Sequence, residues 1–240
     1  MAARPMNQFI VPAADAAAKL SRLLAVSVWT RTLTPEQRRR VEAETLVRWV
    51  PKGGYICRRG EAVEFWIGII DGLGKMTNTS RTGKITTFTG VTTGGWFGEG
   101  TILKNERRRY DVVALRDSDV AYMPRSTFMW LLDTSIDFNR FLLVQLNERL
   151  GQFIGMVEYD RLLGPDARVA HCLAALFNPT LAPGIEPLIK ISQEEIGHLA
   201  GLSRQRVNHA LKVLEAAGLV RLEYCGVTVL DLEGLKTFGE

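Results

Sequence analysis

The chain changes its hydrophobic rhythm three times. Over residues 13–25 and 35–47 apolar and polar positions alternate at helical spacing, and Pro35 after Thr34 marks a first-turn start, where proline's missing N–H is not needed. Between about 45 and 125 the pattern breaks into short apolar stretches at 65–70, 85–88 and 112–114. Residues 51–100 hold 12 of the 22 Gly, which mark turns and bulges between short strands. The pattern predicts a compact antiparallel β barrel or roll. From about 134 one long helix follows, with Leu143, Leu146, Leu150, Phe153 and Val157 spaced 3, 4, 3, 4. That spacing fits either one face of a core helix or a coiled-coil seam; polar flanks at Asn147, Glu148, Arg149 and Gln152 favour a seam against a second copy.

Gly164-Pro165 ends this helix, because a residue before proline is pushed out of helical geometry. Helical spacing resumes over 166–177, with Val169, Leu173 and Leu176 on one side, then a Pro/Gly-rich loop over 178–187 and a short strand over 189–191. Ser192-Gln-Glu-Glu195 has the form of a capping box, in which hydroxyl and carboxylate each satisfy a free N–H. It opens a helix over 193–200 that ends at Gly201; Ser203 caps a second helix over 204–217, closed by Gly218. Residues 220–224 and 227–230 read as strands joined by a tight turn at Cys225-Gly226. Helix, turn, helix and hairpin together predict a winged helix-turn-helix.

The second of these helices carries Arg204, Gln205, Asn208, His209 and Lys212 on one face, Arg206 at its flank and no acid before Glu215. Such side chains fork onto base edges and phosphates, whereas a merely solvated face would mix in acids. The net charge of +4 adds nothing to this reading. From residue 162 to the end there are 7 Lys and Arg against 9 Asp and Glu, so the evidence is the local cluster and not the total.

Composition limits the alternatives. With 240 residues, 46% of them apolar, the chain is long enough for one or two domains and too apolar for disorder. No stretch approaches the roughly 18 uncharged apolar residues of a membrane helix, and the stretch between Arg4 and Pro12 is too short for a signal-peptide core. Three Cys at 57, 172 and 225 fit neither a disulfide framework nor a metal knuckle; reduced thiols in a cytoplasm are expected. Cys57 reads as an inert strand residue, with a redox switch as the alternative. The three His (171, 198, 209) lie in the last third, which excludes a His-rich metal centre in the roll; no metal and no catalytic residues are expected.

Two stretches carry a resemblance to the CRP/FNR family of bacterial transcription regulators, over residues 45–232. The first is Trp96-Phe-Gly-Glu-Gly100 followed by Arg109, which is similar to the family's phosphate-binding cassette; the second is the run from Ile191 to Asn208 with Leu211, Leu214 and Glu215. The resemblance implies an α+β fold: an N-terminal double-stranded β-helix, a cupin-like jelly roll with flanking helices over 1–135; a dimerisation helix over 136–162; and a winged helix-turn-helix DNA-binding domain over 163–240. It implies a homodimer binding an inverted-repeat operator in double-stranded DNA and working with RNA polymerase. Ser203, Arg204, Gln205, Arg206, Asn208, His209 and Lys212 are the expected DNA contacts, and Leu143, Leu146, Leu150, Phe153 and Val157 the expected dimer seam.

Gly98, Glu99, Gly100, Arg108, Arg109, Tyr110 and Phe153 are the expected effector contacts. A Gly-rich turn exposes N–H groups, a carboxylate accepts from ribose hydroxyls and an Arg forks onto phosphate. Cyclic AMP is expected not to be the effector. Family members that bind it carry Ser or Thr beside the Arg and polar residues on the dimer helix; here stand Tyr110, and Phe153 with Ile154. An apolar pair leaves the adenine amine unmet, at a cost of about 1 to 3 kcal/mol. Arg107, Arg108 and Arg109 would suit two phosphates, as in a cyclic dinucleotide such as cyclic di-GMP; alternatively one Arg pairs with Glu99 and the others are solvated, or no ligand is needed. A nucleotide-sensing module acting through protein partners is the other reading of the whole chain.

Overall fold

The computed structural model describes residues 13–80, 82–83 and 85–239; the stretch from Arg4 to Pro12 weighed above lies outside them. The chain begins with helix α1 (Ala13–Val26), a short 3-10 turn (Val28–Thr32) and α2 (Pro35–Glu44). Thr34 and Gln37 form a reciprocal capping box that starts α2. The helix stops at Glu44, not 47, because residues 46–50 alternate exposed and buried positions and form strand β1 (Leu46–Val50).

Seven further strands follow: β2 (Tyr55–Cys57), β3 (Phe65–Asp71), β4 (Leu73–Thr79), β5 (Ile85–Thr92), β6 (Trp96–Phe97), and, after the one-turn helix α3 (Glu99–Leu103), β7 (Asp111–Ala114) and β8 (Ser118–Pro124). They pair antiparallel in two four-stranded sheets, ordered β1-β8-β3-β6 and β2-β7-β4-β5. Ile56, Ile67, Ile69, Met76, Phe97, Val112 and Val120 fill the space between the sheets. This is the expected jelly roll. A second core lies outside the first sheet: Leu20, Leu23 and Leu24 of α1 and the rings of Trp29, Trp66, Trp96, Phe128 and Phe138 pack together there. Gly68 on β3 permits it, since a Cβ there would stand 2.8 Å from the Trp96 ring.

Helices α4 (Arg125–Thr134) and α5 (Ile136–Leu162) leave the roll. α5 runs unbroken through Gly151 and Gly155, so the first glycine does not end it; Ser135 caps its start. The last part contains α6 (Pro165–Ala175), β9 (Leu188–Ile189), α7 (Gln193–Ala200), α8 (Arg204–Ala216), the hairpin β10 (Val220–Glu223) and β11 (Gly226–Val229), and α9 (Leu232–Lys236). Its core is built from Val169, Leu173, Ile196, Val207, Leu211, Leu214 and Leu235. Two sequence expectations shift here. Glu223 pairs with Gly226, so the turn residues are Tyr224 and Cys225. Gly226 serves another purpose: a Cβ on it would run into the Ile189 carbonyl of β9, which pairs with β11 as a third strand. The strand predicted at 189–191 accordingly ends at Ile189.

Candidate nucleic-acid interface and effector cassette

In α7 and α8 the local chemistry is as the sequence pattern requires. The Ser192 hydroxyl accepts from the Glu195 N–H and the Glu195 carboxylate accepts from the Ser192 N–H, at 3.2 and 2.6 Å. Gly201 ends α7 in left-handed geometry at φ 66°, where a side chain would be strained. Gly197 lets the turn pass close, because a Cβ there would stand 2.7 Å from the Leu202 carbonyl oxygen. Ser203 caps α8 through the Arg206 N–H.

Val207, Ala210, Leu211 and Leu214 turn inward, which leaves Ser203, Arg204, Gln205, Arg206, His209 and Lys212 exposed. Among the described residues Arg204, His209 and Lys212 make no ion pair, and Asn208, half-buried, accepts from Gln193 at 3.5 Å. Glu215, the first acid of the helix, is turned to the hairpin and accepts from the Leu222 N–H at 2.8 Å. The exposed face is therefore polar and basic, with its hydrogen-bonding groups uncommitted.

The five positions expected to form a seam on α5 differ in their exposure. Leu143, Leu150 and Val157 are exposed, at 69, 57 and 47%, and Ile154 joins them at 60%, whereas Leu146 and Phe153 lie half-buried at the margin. Counting 100° per residue puts 143, 150, 154 and 157 within a narrow stripe and 146 and 153 beside it. The polar flanks are not simply solvated. Glu148 accepts from the Asn178 amide at 2.7 Å, and Arg149 points into the roll.

Arg149 reorganises the cassette. Glu99, 2% exposed at the start of α3, is paired with the Arg149 guanidinium at 3.1 Å and accepts from Trp66 Nε1 at 3.3 Å. Arg149 also donates to the Trp96 carbonyl at 2.6 Å. Sequence reasoning counted Arg149 among the solvated flanks; nothing local distinguishes it, since its partner lies 50 positions away. Of the two candidate arginines, the one the structure buries at the cassette is Arg108, the neighbour of Arg109, on which the motif resemblance rested. Arg109 points outward and pairs with Glu106 at 3.2 Å, and Arg107 donates to the Gly60 carbonyl. Arg108 is the one buried, 4% exposed: one of its terminal nitrogens donates to the Phe65 carbonyl, and the other faces Gly98 with no hydrogen-bond partner. Gly98 is left-handed at φ 98°, and a side chain there would displace that guanidinium. Gly100, on α3, has open space around it. Tyr110 packs half-buried against the roll core, its hydroxyl pushed up by burial and then by the Glu99 charge.

Cys57 is buried on β2 with its thiol pushed up to about 11, chiefly by burial, which is the environment of an inert strand residue. Among the described residues no three His, Cys, Asp or Glu side chains gather to hold a metal, and no helix is long and apolar enough to cross a membrane.

Residues 47–135 match the cyclic nucleotide-binding domain model, and residues 167–238 match the Crp-like helix-turn-helix domain model. The chain is 29% identical over 177 residues to the cyclic AMP receptor protein of Thermus thermophilus, spanning 73% of this chain and 79% of that one. It is 27% identical over 175 residues to the cAMP-activated global transcriptional regulator CRP of Pasteurella multocida, spanning 71% and 83%. Among solved structures it is similar to FixK2 from Bradyrhizobium japonicum, with a TM-score of 0.67 and 18% identity over 82% of this chain and 98% of that one. The c-di-GMP responsive global regulator CLP of Xanthomonas campestris gives 0.58 and 20%, over 82% and 99%. At these identities the structural likeness is one of fold.

Proposed function

The chain belongs to the CRP/FNR family of transcription regulators, with a cyclic nucleotide-binding domain and a helix-turn-helix DNA-binding domain, and on that premise we propose that it acts as a homodimer on an inverted-repeat operator under control of an effector other than cyclic AMP. The division is into a sensing part over 1–135, a dimerisation helix over 136–162 and a DNA-binding part over 163–240, and RNA polymerase is the partner on DNA.

The observation that carries the DNA reading is the face of α8, whose Arg204, Gln205, His209 and Lys212 are exposed and face no acid of their own helix. Arg204 at the N-terminal end of α8 reads a guanine through O6 and N7, and Gln205 suits adenine; Arg206 and Lys212 meet phosphates, with Ser203, Asn208 and His209 completing the contact. Two copies joined along the Leu143, Leu150, Ile154 and Val157 stripe present two such helices, so the half-sites lie about 10 base pairs apart. As for the effector, the Glu99 carboxylate that would accept from a ribose is committed to Arg149 and Trp66. Arg108 keeps one buried nitrogen for an anion, and Phe153 and Ile154 bring no acceptor for the adenine amine from α5. A cyclic dinucleotide, the class of ligand to which the c-di-GMP responsive regulator CLP answers, is the alternative effector.

The test is selection of operators from random DNA, followed by titration of two variants at several salt concentrations. Arg204→Ala costs roughly 1 to 3 kcal/mol on the selected site and relaxes one G·C pair per half-site; Lys212→Ala weakens all sequences alike and flattens the salt slope by about one phosphate per subunit. Recovery of no inverted repeat, or an Arg204→Ala protein with unchanged base preference, removes this reading.

A further inference from the structure

A cavity of about 650 Å³ lies where the roll, the end of α5 and the helix-turn-helix meet. Small-molecule sites typically have volumes of about 300 to 1,000 Å³. β4 and β5 form one wall, the last turns of α5 a second, and α6 with α7 the third. The body of the cavity is largely apolar: Phe88, Met156, Leu176 and Leu199 line it, beside the Tyr159 ring stacked on His171 at 3.9 Å, with Thr87 and the buried Oε1 of Gln152 as polar points in its wall. The walls also touch. A Cβ on Gly90 of β5 would stand 3.2 Å from both Leu176 and Leu199, so roll and helices are in van der Waals contact at the cavity's edge.

Charge in this cavity is uneven. Arg168 is already committed, paired with Asp160 at 2.8 Å and donating to the Ala200 carbonyl at 2.8 Å. Lys75 of β4 is half-buried and makes no side-chain hydrogen bond or ion pair among the described residues; burial holds its ammonium below the usual lysine range. His198 of α7 is held low first by burial and then by the Lys75 charge, against the opposite pull of Glu194 and Glu195. Lys75, a cation without a partner among the described residues beside a largely apolar body, favours a ligand with a matching anion, because an unpaired charge away from water is costly. A neutral lipid would leave Lys75 unmatched, and a nucleotide or polyphosphate would set polar atoms against Phe88, Met156 and Leu199.

We propose that this cavity binds a small amphipathic organic anion, its carboxylate or sulfonate head on Lys75 and its aromatic or alkyl body among Phe88, Met156, Leu176 and Leu199. The site is separate from the Glu99 cassette. Only its role as an effector site rests on the reading of the chain as a DNA-binding regulator: a ligand there touches the roll, α5, α6 and α7 together and so favours one arrangement of the two halves.

Full-length protein is titrated with 8-anilinonaphthalene-1-sulfonate, an aromatic anion that brightens in apolar surroundings, and with N-phenyl-1-naphthylamine, the same rings without the sulfonate. Saturable binding of one sulfonate per chain is expected. Lys75→Gln weakens the sulfonate about tenfold, the loss of one charge-assisted contact, and leaves the neutral probe within about twofold. Ala175→Phe, which fills the cavity, removes both probes while circular dichroism stays that of the parent. Non-saturable binding, an unchanged sulfonate affinity in Lys75→Gln, or displacement of the sulfonate by cyclic AMP or cyclic di-GMP that Arg108→Ala abolishes would each overturn the site. Since this titration contains no DNA, a protein that binds its operator but not the sulfonate refutes the cavity alone, and the reverse refutes the regulator reading alone. An operator affinity moved at least threefold by saturating sulfonate supports the effector role; an unmoved affinity refutes it.

Discussion

Arg149→Leu is expected to destabilise the roll more than any other removal of a charge from α5. The parent pair is buried on both sides: Glu99 is 2% and Arg149 13% exposed at the side chain. Losing the guanidinium leaves the Glu99 carboxylate with Trp66 Nε1 at 3.3 Å as its one remaining side-chain donor among the described residues. Breaking a buried pair from one side costs about 3 to 5 kcal/mol. Glu99 stands in the first turn of α3, whose N-terminus offsets up to about 1 kcal/mol of this. A net cost of about 3 kcal/mol corresponds to a melting point lower by about 6 to 12 °C for a chain of this size. The neutral double variant Glu99→Gln with Arg149→Leu keeps an acceptor for Trp66 and carries no buried charge, so it melts above the single variant and within about 1 kcal/mol of the parent. Fluorescence is the readout, as Trp66 and Trp96 adjoin the pair. A single variant that loses under about 2 °C, or a double variant no more stable than the single, refutes the claim that Arg149 neutralises the cassette.

Three further outcomes follow. Leu150→Glu with Ile154→Glu puts four charges on a paired stripe, so the variant sediments as a monomer; one that remains a dimer refutes the seam. Iodoacetamide at pH 8 labels one thiol per folded chain by mass spectrometry, at exposed Cys225, because burial pushes Cys57 up to about 11 and Cys172 up to about 12; since only the thiolate reacts, those two label only on unfolding, and label at Cys57 in the folded protein contradicts this. Gly226→Ala forces β9 away from β11 and lowers stability by about 1 to 3 kcal/mol in urea titration, and an unchanged midpoint would show that β9 does not need the close approach.

The helix-turn-helix was legible because its signals are local: Ser192 with Glu195, Gly201 and Ser203 lie within 12 residues, and each sets its own backbone group. The roll was legible as strand texture but not in its polar interior. Three consecutive arginines give no clue to which one turns inward, and the answer depends on where β7 begins, at Asp111. Arg149 and the interdomain cavity belong to the same class: both arise from the approach of segments far apart in the chain, which spacing along one helix cannot report. The apolar stripe of α5 was legible in kind, but its spacing alone does not tell that Leu146 and Phe153 lie half-buried while Ile154 is exposed.

Glu195 divides its carboxylate between two masters. One oxygen accepts from the Ser192 N–H and so starts α7; the other accepts from Arg116 of the roll at 3.1 Å. The half that builds the DNA-reading helix pair is wholly internal to the module, and the half that ties it to the sensor is a separate bond. Grafted behind a foreign sensor lacking Arg116, the C-terminal module would keep the cap that starts α7 and lose this tether, along with the apolar contacts that Leu73 and Leu115 of the roll make with its core.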